Sequence, residues 1–185
     1  ALSTQQMAAL TSAQLGAFGT AQFSVLSSRQ LAAIGSDTLA GLSSADLAAL
    51  TTSAVSLLNP SLLSLLNTAQ LTGLGSRHFA VMSSAQIAAL GTAQVRALAT
   101  AQIGGFGTLQ LAGLGTNDIA VLGSGAMRAL STRAISALTS TQLAALGAGG
   151  SLFGTLATAQ IAELRTGALA GIGSDQIIAL TTAQV

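Results

Sequence analysis

Apolar residues recur every eight positions along two interleaved rows. One row runs Leu10, Phe18, Leu26, Ile34, Leu42 and Leu50 and continues without a miss to Leu146; it includes Leu58, Leu66, Leu74, Met82, Leu90, Leu98 and Phe106. The other row follows five residues behind, through Leu15, Phe23, Leu31, Leu39, Leu47 and Val55. A short fixed period of this kind is the signature of a solenoid, in which each unit buries its apolar face against its neighbours.

With Leu10 as position one of the octad, Thr11 and Ser12 are two and three, Ala13 and Gln14 four and five, Leu15 six, and Gly16 and Ala17 seven and eight. Position three is Ser or Thr in almost every unit, position five favours Gln, and positions seven and eight are small. Position two alternates between Gly and Ser, Thr or Asn. This grammar predicts a very short helix with both ends marked. The hydroxyl at position three, as in Ser12, Thr20, Ser28, Thr92, Thr100 and Thr108, is the expected N-cap. Gly at position two is the expected left-handed C-terminal cap of the preceding helix. Asn59-Pro60 is expected to follow the same logic one residue earlier, Asn capping and Pro opening the helix.

The predicted fold is therefore an all-α solenoid of capped mini-helices, with two octads per coil. A helix this short is marginal alone, so positions one and six, exemplified by Leu10, Leu15, Phe18, Phe23, Leu26, Leu31, Leu90, Leu98 and Phe106, form the expected core. A single continuous helix fails: eight residues advance about 800°, so the apolar stripe would drift roughly 80° per repeat. A β-solenoid is the rival reading, but the apolar spacing of five then three, with Ala, Leu and Gln dominant, lacks the alternation of strands.

The first register covers 1–146. A Gly-rich break occupies 147–155, and the pattern resumes over 156–185 with Leu156, Leu164, Ile172 and Leu180 shifted by two residues; the extra pair is expected to leave as a loop or bulge. A Leu-rich variant around Asn59 carries Leu57, Leu62 and Leu65 at positions that are normally polar or small, which marks a thicker core or a lateral contact patch.

Composition narrows the chemistry. Half of the 185 residues are hydrophobic and only 6% charged, with no Cys, so disulfides, thiolate chemistry and cysteine metal sites are excluded. Disorder requires low hydrophobicity and high net charge; here the net charge is +1. Every octad carries Ser, Thr or Gln, which breaks up any run long enough to span a membrane. Scattered arginines make no basic stripe, so nucleic acid is not an expected partner. His78 stands at a Gln position beside Arg77, without a second His or a nearby carboxylate, and is a poor metal ligand or general base. Asp37 and Asp46 could form a carboxylate pair; solvated carboxylates near helix starts are the simpler expectation. The serines have no triad around them. The expectation is a protein with no enzyme activity, cofactor or metal.

Two uses remain. The chain ends inside octads at both termini, with no polar capping unit and no signal peptide in view, which suggests an excerpt of a longer array or subunits that stack end to end into an open filament. Alternatively, the Thr/Ser/Gln ladder presents a regular face to ice or a polysaccharide. Runs such as Ser83-Ser84-Ala85-Gln86-Ile87-Ala88-Ala89-Leu90 and Thr181-Thr182-Ala183-Gln184-Val185 resemble the octapeptide arrays of very large bacterial secreted or cell-surface proteins, some of them adhesin-like. That resemblance implies an extracellular stalk, fibre or surface layer that contacts itself or the rest of a longer repeat protein. It carries over no catalytic residues, and the Gly/Asp nonapeptides that bind calcium in many exported proteins are missing.

Overall fold

The computed structural model describes residues 2–147 and 152–185. Among them, twenty α-helices of four to six residues and two 3-10 turns succeed one another, one element per octad. Strand is absent from the described residues, so the β-solenoid alternative is set aside. None of these helices is long and apolar enough to cross a membrane.

Helices begin one residue earlier in the octad than the hydroxyl pattern suggested. The N-caps are Thr11, Gly19, Ser27, Gly91, Ala99 and Gly107, all with extended backbone. Ser12, Thr20, Ser28, Thr92, Thr100 and Thr108, expected as caps, are instead the first helical residues. The glycines at position two are thus not left-handed C-caps: Gly91 has φ −74° and ψ 154°. Asn59, which caps Pro60–Leu63 with Pro at its first position, is the ordinary case and not a shifted one. The reason lies at position five. Its glutamine Oε1 accepts the N-cap backbone N–H, as Gln94 does from Gly91 at 2.7 Å, so the cap survives where position two has no side chain at all. Where position two has a hydroxyl, the box is reciprocal, with Ser83 Oγ accepting from the Gln86 N–H at 3.2 Å. Ser83→Ala is accordingly expected to cost about 0.5–1 kcal/mol and Ser84→Ala to stay within about 0.5 kcal/mol of neutral, measured by urea melts.

Each element packs on the third one after it, for example Ser84–Ala88 on Thr108–Gly113 and Thr52–Ser56 on Ser76–Phe79. Hydrogen bonds between coils step back 28 or 31 residues, as from Gln102 to Leu74 and Leu71. A coil therefore holds 28 residues, three and a half octads, and not the two expected. Two mini-helices per coil would make a flat sandwich. Three and a half close a tube, and the half-integer places each helix over the joint between two helices beneath it, so that both leucine rows turn inward.

Leu15, Phe23, Leu26, Leu31, Leu90 and Phe106 are buried, while Leu10, Phe18 and Leu98 are half-buried against the same core. In the first register, position six is never more than 7% exposed. Where position eight is Gly, backbones of successive coils touch: a Cβ on Gly113 would lie 2.5 Å from the Ser84 carbonyl oxygen, and one on Gly73 would lie 2.7 Å from the Ser44 carbonyl carbon.

Across the repeat break the ladder continues with two residues added. Gln160 bonds to Met127 and Leu130, 33 and 30 residues back, where 31 and 28 are usual. The inserted residues are absorbed within one coil, and stacking on both sides is preserved. The loop or bulge anticipated at the Gly-rich patch falls on 148–151, outside the described residues.

Candidate functional site

The recurring polar element is a rung formed by the side chain at position five. Its Oε1 faces its own helix start and its Nε2 reaches the coil beneath. In Gln102, Oε1 accepts from Ala99 N–H at 2.7 Å while Nε2 donates to the carbonyls of Leu71 and Leu74 at 2.8 and 2.6 Å. Those two carbonyls flank the joint between successive helices, because residue 71 is position six of one octad and residue 74 position one of the next. Gln70, Gln86, Gln94 and Gln142 repeat the arrangement. All five amides are buried, and no buried side-chain nitrogen or oxygen among the described residues lacks a partner.

The physics explains why an amide suits this place. It needs an acceptor and a two-proton donor at the end of one flexible arm, without charge. A buried polar group is tolerated when its bonds are made and is costly otherwise. The regularity of Gln at position five was visible in the sequence; its second partner, 28–31 residues away, was not.

His78 tests this account because it replaces Gln. Its Nδ1 accepts from Gly75 N–H at 3.1 Å and its Nε2 lies 2.9 Å from the Leu50 carbonyl, 28 residues back. The imidazole thus reproduces both halves of the rung, which requires the neutral ring with its proton on Nε2. Burial lowers its pKa below the usual 6.5, Arg77 at its side lowers it further, and the Leu50 carbonyl opposes both. The folded state resists protonation that the unfolded chain accepts, so stability holds above pH 6.5 and falls as the pH drops below that value, by at most about 1.4 kcal/mol per pH unit. His78→Gln should remove this dependence; chemical denaturation at pH 7.5 and pH 5.5 measures it.

Asp46 and Asp118 also occupy position five. Asp46 accepts from Ser43 N–H at 2.8 Å, and Asp118 accepts from Gly115 N–H at 3.1 Å and from Thr92 Oγ1 at 2.8 Å. Asp46 is therefore a capping group; Asp37 lies beside Ser36 Oγ. Among the described residues no group of three His, Asp or Glu side chains could hold a metal ion. Of the Leu-rich octads, Leu57 and Leu65 are 60% and 55% exposed, whereas Leu62 turns inward against the core.

The profile of the ALTTAQ repeat matches residues 1–36, 79–116, 87–124 and 111–148, more than half of the chain. The chain belongs to the ALTTAQ-repeat family. Its own Ala179-Leu180-Thr181-Thr182-Ala183-Gln184 spells the hexapeptide, which runs from position eight through the core leucine and cap to the rung. Residues 37–78 and 149–185 lie outside the matched segments, and they contain the Leu-rich octads and most of the repeat break. No curated protein matches the chain.

Proposed function

We propose that this ALTTAQ-repeat protein is a structural element of the bacterial exterior, a self-associating rod that serves as filament subunit or surface stalk and carries no catalytic centre. One observation supports it above the rest. Each inner coil joins the one beneath it in the same way, as Gln102 Nε2 donates to the carbonyls of Leu74 and Leu71, and the position-six side chains Leu169 and Ile177 stand 42% and 55% exposed. Gln6, Gln14 and Gln22 cap their own helices through Oε1 in the same way as the inner glutamines. A stapled coil thus presents amide donors on one face and acceptor carbonyls beside buried leucines on the other. That pair of faces accepts further octads, whether of the same polypeptide or of a second copy, in a head-to-tail contact that does not close.

Negative-stain electron microscopy of the purified 185-residue chain tests the reading. Unbranched fibres of constant width are expected, and Leu169→Asp/Ile177→Asp should disperse them; dispersed monomers of the unsubstituted chain would refute self-association. From Gln70 to Gln176 the position-five glutamine amides are buried, which counts against a binding module that presents them to ice or glycan.

A further inference from the structure

The rungs are not evenly distributed. Among the described residues the hydrogen bonds between coils all start from side chains, since the backbone bonds are local. Carbonyls 39 to 82 receive donors from Gln70, His78, Gln86, Gln94, Gln102 and Gln110 in unbroken succession. Three consecutive octads then replace the amide: Asp118, Ala126 and Ala134. The same happens earlier at Asp46, Ala54 and Leu62. Alanine and leucine have nothing to donate, and a carboxylate only accepts. Three octads are nearly one whole turn, so at each place an entire coil-to-coil interface lacks the staple that the turns between them possess. A single polar link crosses the second gap, Thr92 Oγ1 to Asp118.

The first gap has a second mark of weakness. A cavity of about 20 Å³ lies at it, lined by Leu31 and Ile34 from the block before the seam and by Leu39, Leu47, Leu62 and Leu66 from the block after it. Leu62 stands where a rung would fill the space. An apolar void forfeits contacts and stays dry.

We propose that the rod consists of three stapled blocks, residues 2–38, 39–110 and 111–185, separated by two seams at which coils part before any block unravels. In a solenoid, stability is a sum of nearest-neighbour interface terms, so rungless interfaces are the points where that sum is least. Such a rod yields in large segments under tension and keeps its blocks intact.

Optical-tweezers stretching of the full chain held by its two ends distinguishes the cases. The unsubstituted chain is expected to extend in three steps, the middle one about 70 residues long, or about 250 Å at ~3.5 Å per residue. Ala126→Gln/Ala134→Gln restores two rungs at the second seam and should merge the middle and last steps into one. Gln86→Ala/Gln94→Ala places alanines where Ala54 is tolerated naturally, and should split the middle step. A single cooperative step, coil-by-coil extension of about 28 residues, or step boundaries that ignore the rung substitutions would overturn the proposal.

Discussion

Gln102→Ala is expected to destabilise the protein by about 3 kcal/mol, read as a shift of the urea midpoint at constant slope. The substitution strands Ala99 N–H and the Leu74 carbonyl, while the Leu71 carbonyl loses one donor and keeps the Leu74 N–H at 3.1 Å. Each stranded buried group costs about 1–3 kcal/mol when water cannot replace the lost partner; partial hydration of the joint keeps the total toward the lower end. Gln14→Ala is the internal control. Gln14 Oε1 accepts only from Thr11, from its N–H at 2.9 Å and its hydroxyl at 3.2 Å, both exposed, so its loss should cost about 1 kcal/mol or less. Gln102→Glu discriminates further, since a carboxylate can hold the cap and cannot donate to two carbonyls. That variant should regain stability as the pH falls and the group is protonated, opposite in sign to the effect of His78. Equal losses for Gln102→Ala and Gln14→Ala would mean that the rung contributes only as a cap.

The neighbouring glycines Gly104 and Gly105 should respond oppositely to alanine. A Cβ on Gly105 would come within 2.9 Å of both the Ser76 carbonyl carbon and its Cα, and closer still to the carbonyl oxygen. Backbone cannot swing aside as a side chain can, so the two coils must separate, at about 1–3 kcal/mol. Gly104 has helical backbone, φ −59° and ψ −20°, and its nearest neighbours would lie at ordinary contact, 3.5 Å or more. Gly104→Ala should therefore stabilise by about 0.4–1 kcal/mol through the unfolded chain. Thermal denaturation of the two single variants compares them directly. A stabilising Gly105→Ala would mean that the coils are spaced more loosely than the Ser76 contact requires.

Legibility in the sequence tracked the range of each interaction. Helical structure, the inward direction of positions one and six and the shift of two residues were readable because they depend on neighbours within one octad. The hydroxyl pattern points one residue past the true cap because Ser or Thr at position three is the more regular signal. Yet the N–H being capped is satisfied by Gln from the other side, which frees position two to be Gly or Ala. His78 looked inert by its isolation, and it is a substitute rung instead, a role that only the Leu50 carbonyl discloses. The Leu-rich octads read as either a thicker core or a lateral patch, and packing divides them: Leu62 joins the core while Leu57 and Leu65 stay exposed.

The sequence by itself determined the unit: a short helix, its apolar sides, and the period at which it returns. Tertiary structure decided how units close on one another. Octads that are nearly identical present the same residues to any partner, so nothing local says whether the second, third or fourth copy lies above a given one. That choice belongs to the closure of the tube around its leucines, which settles at 28 residues. Only at that spacing does the glutamine of one coil meet the two carbonyls at the joint of the coil below.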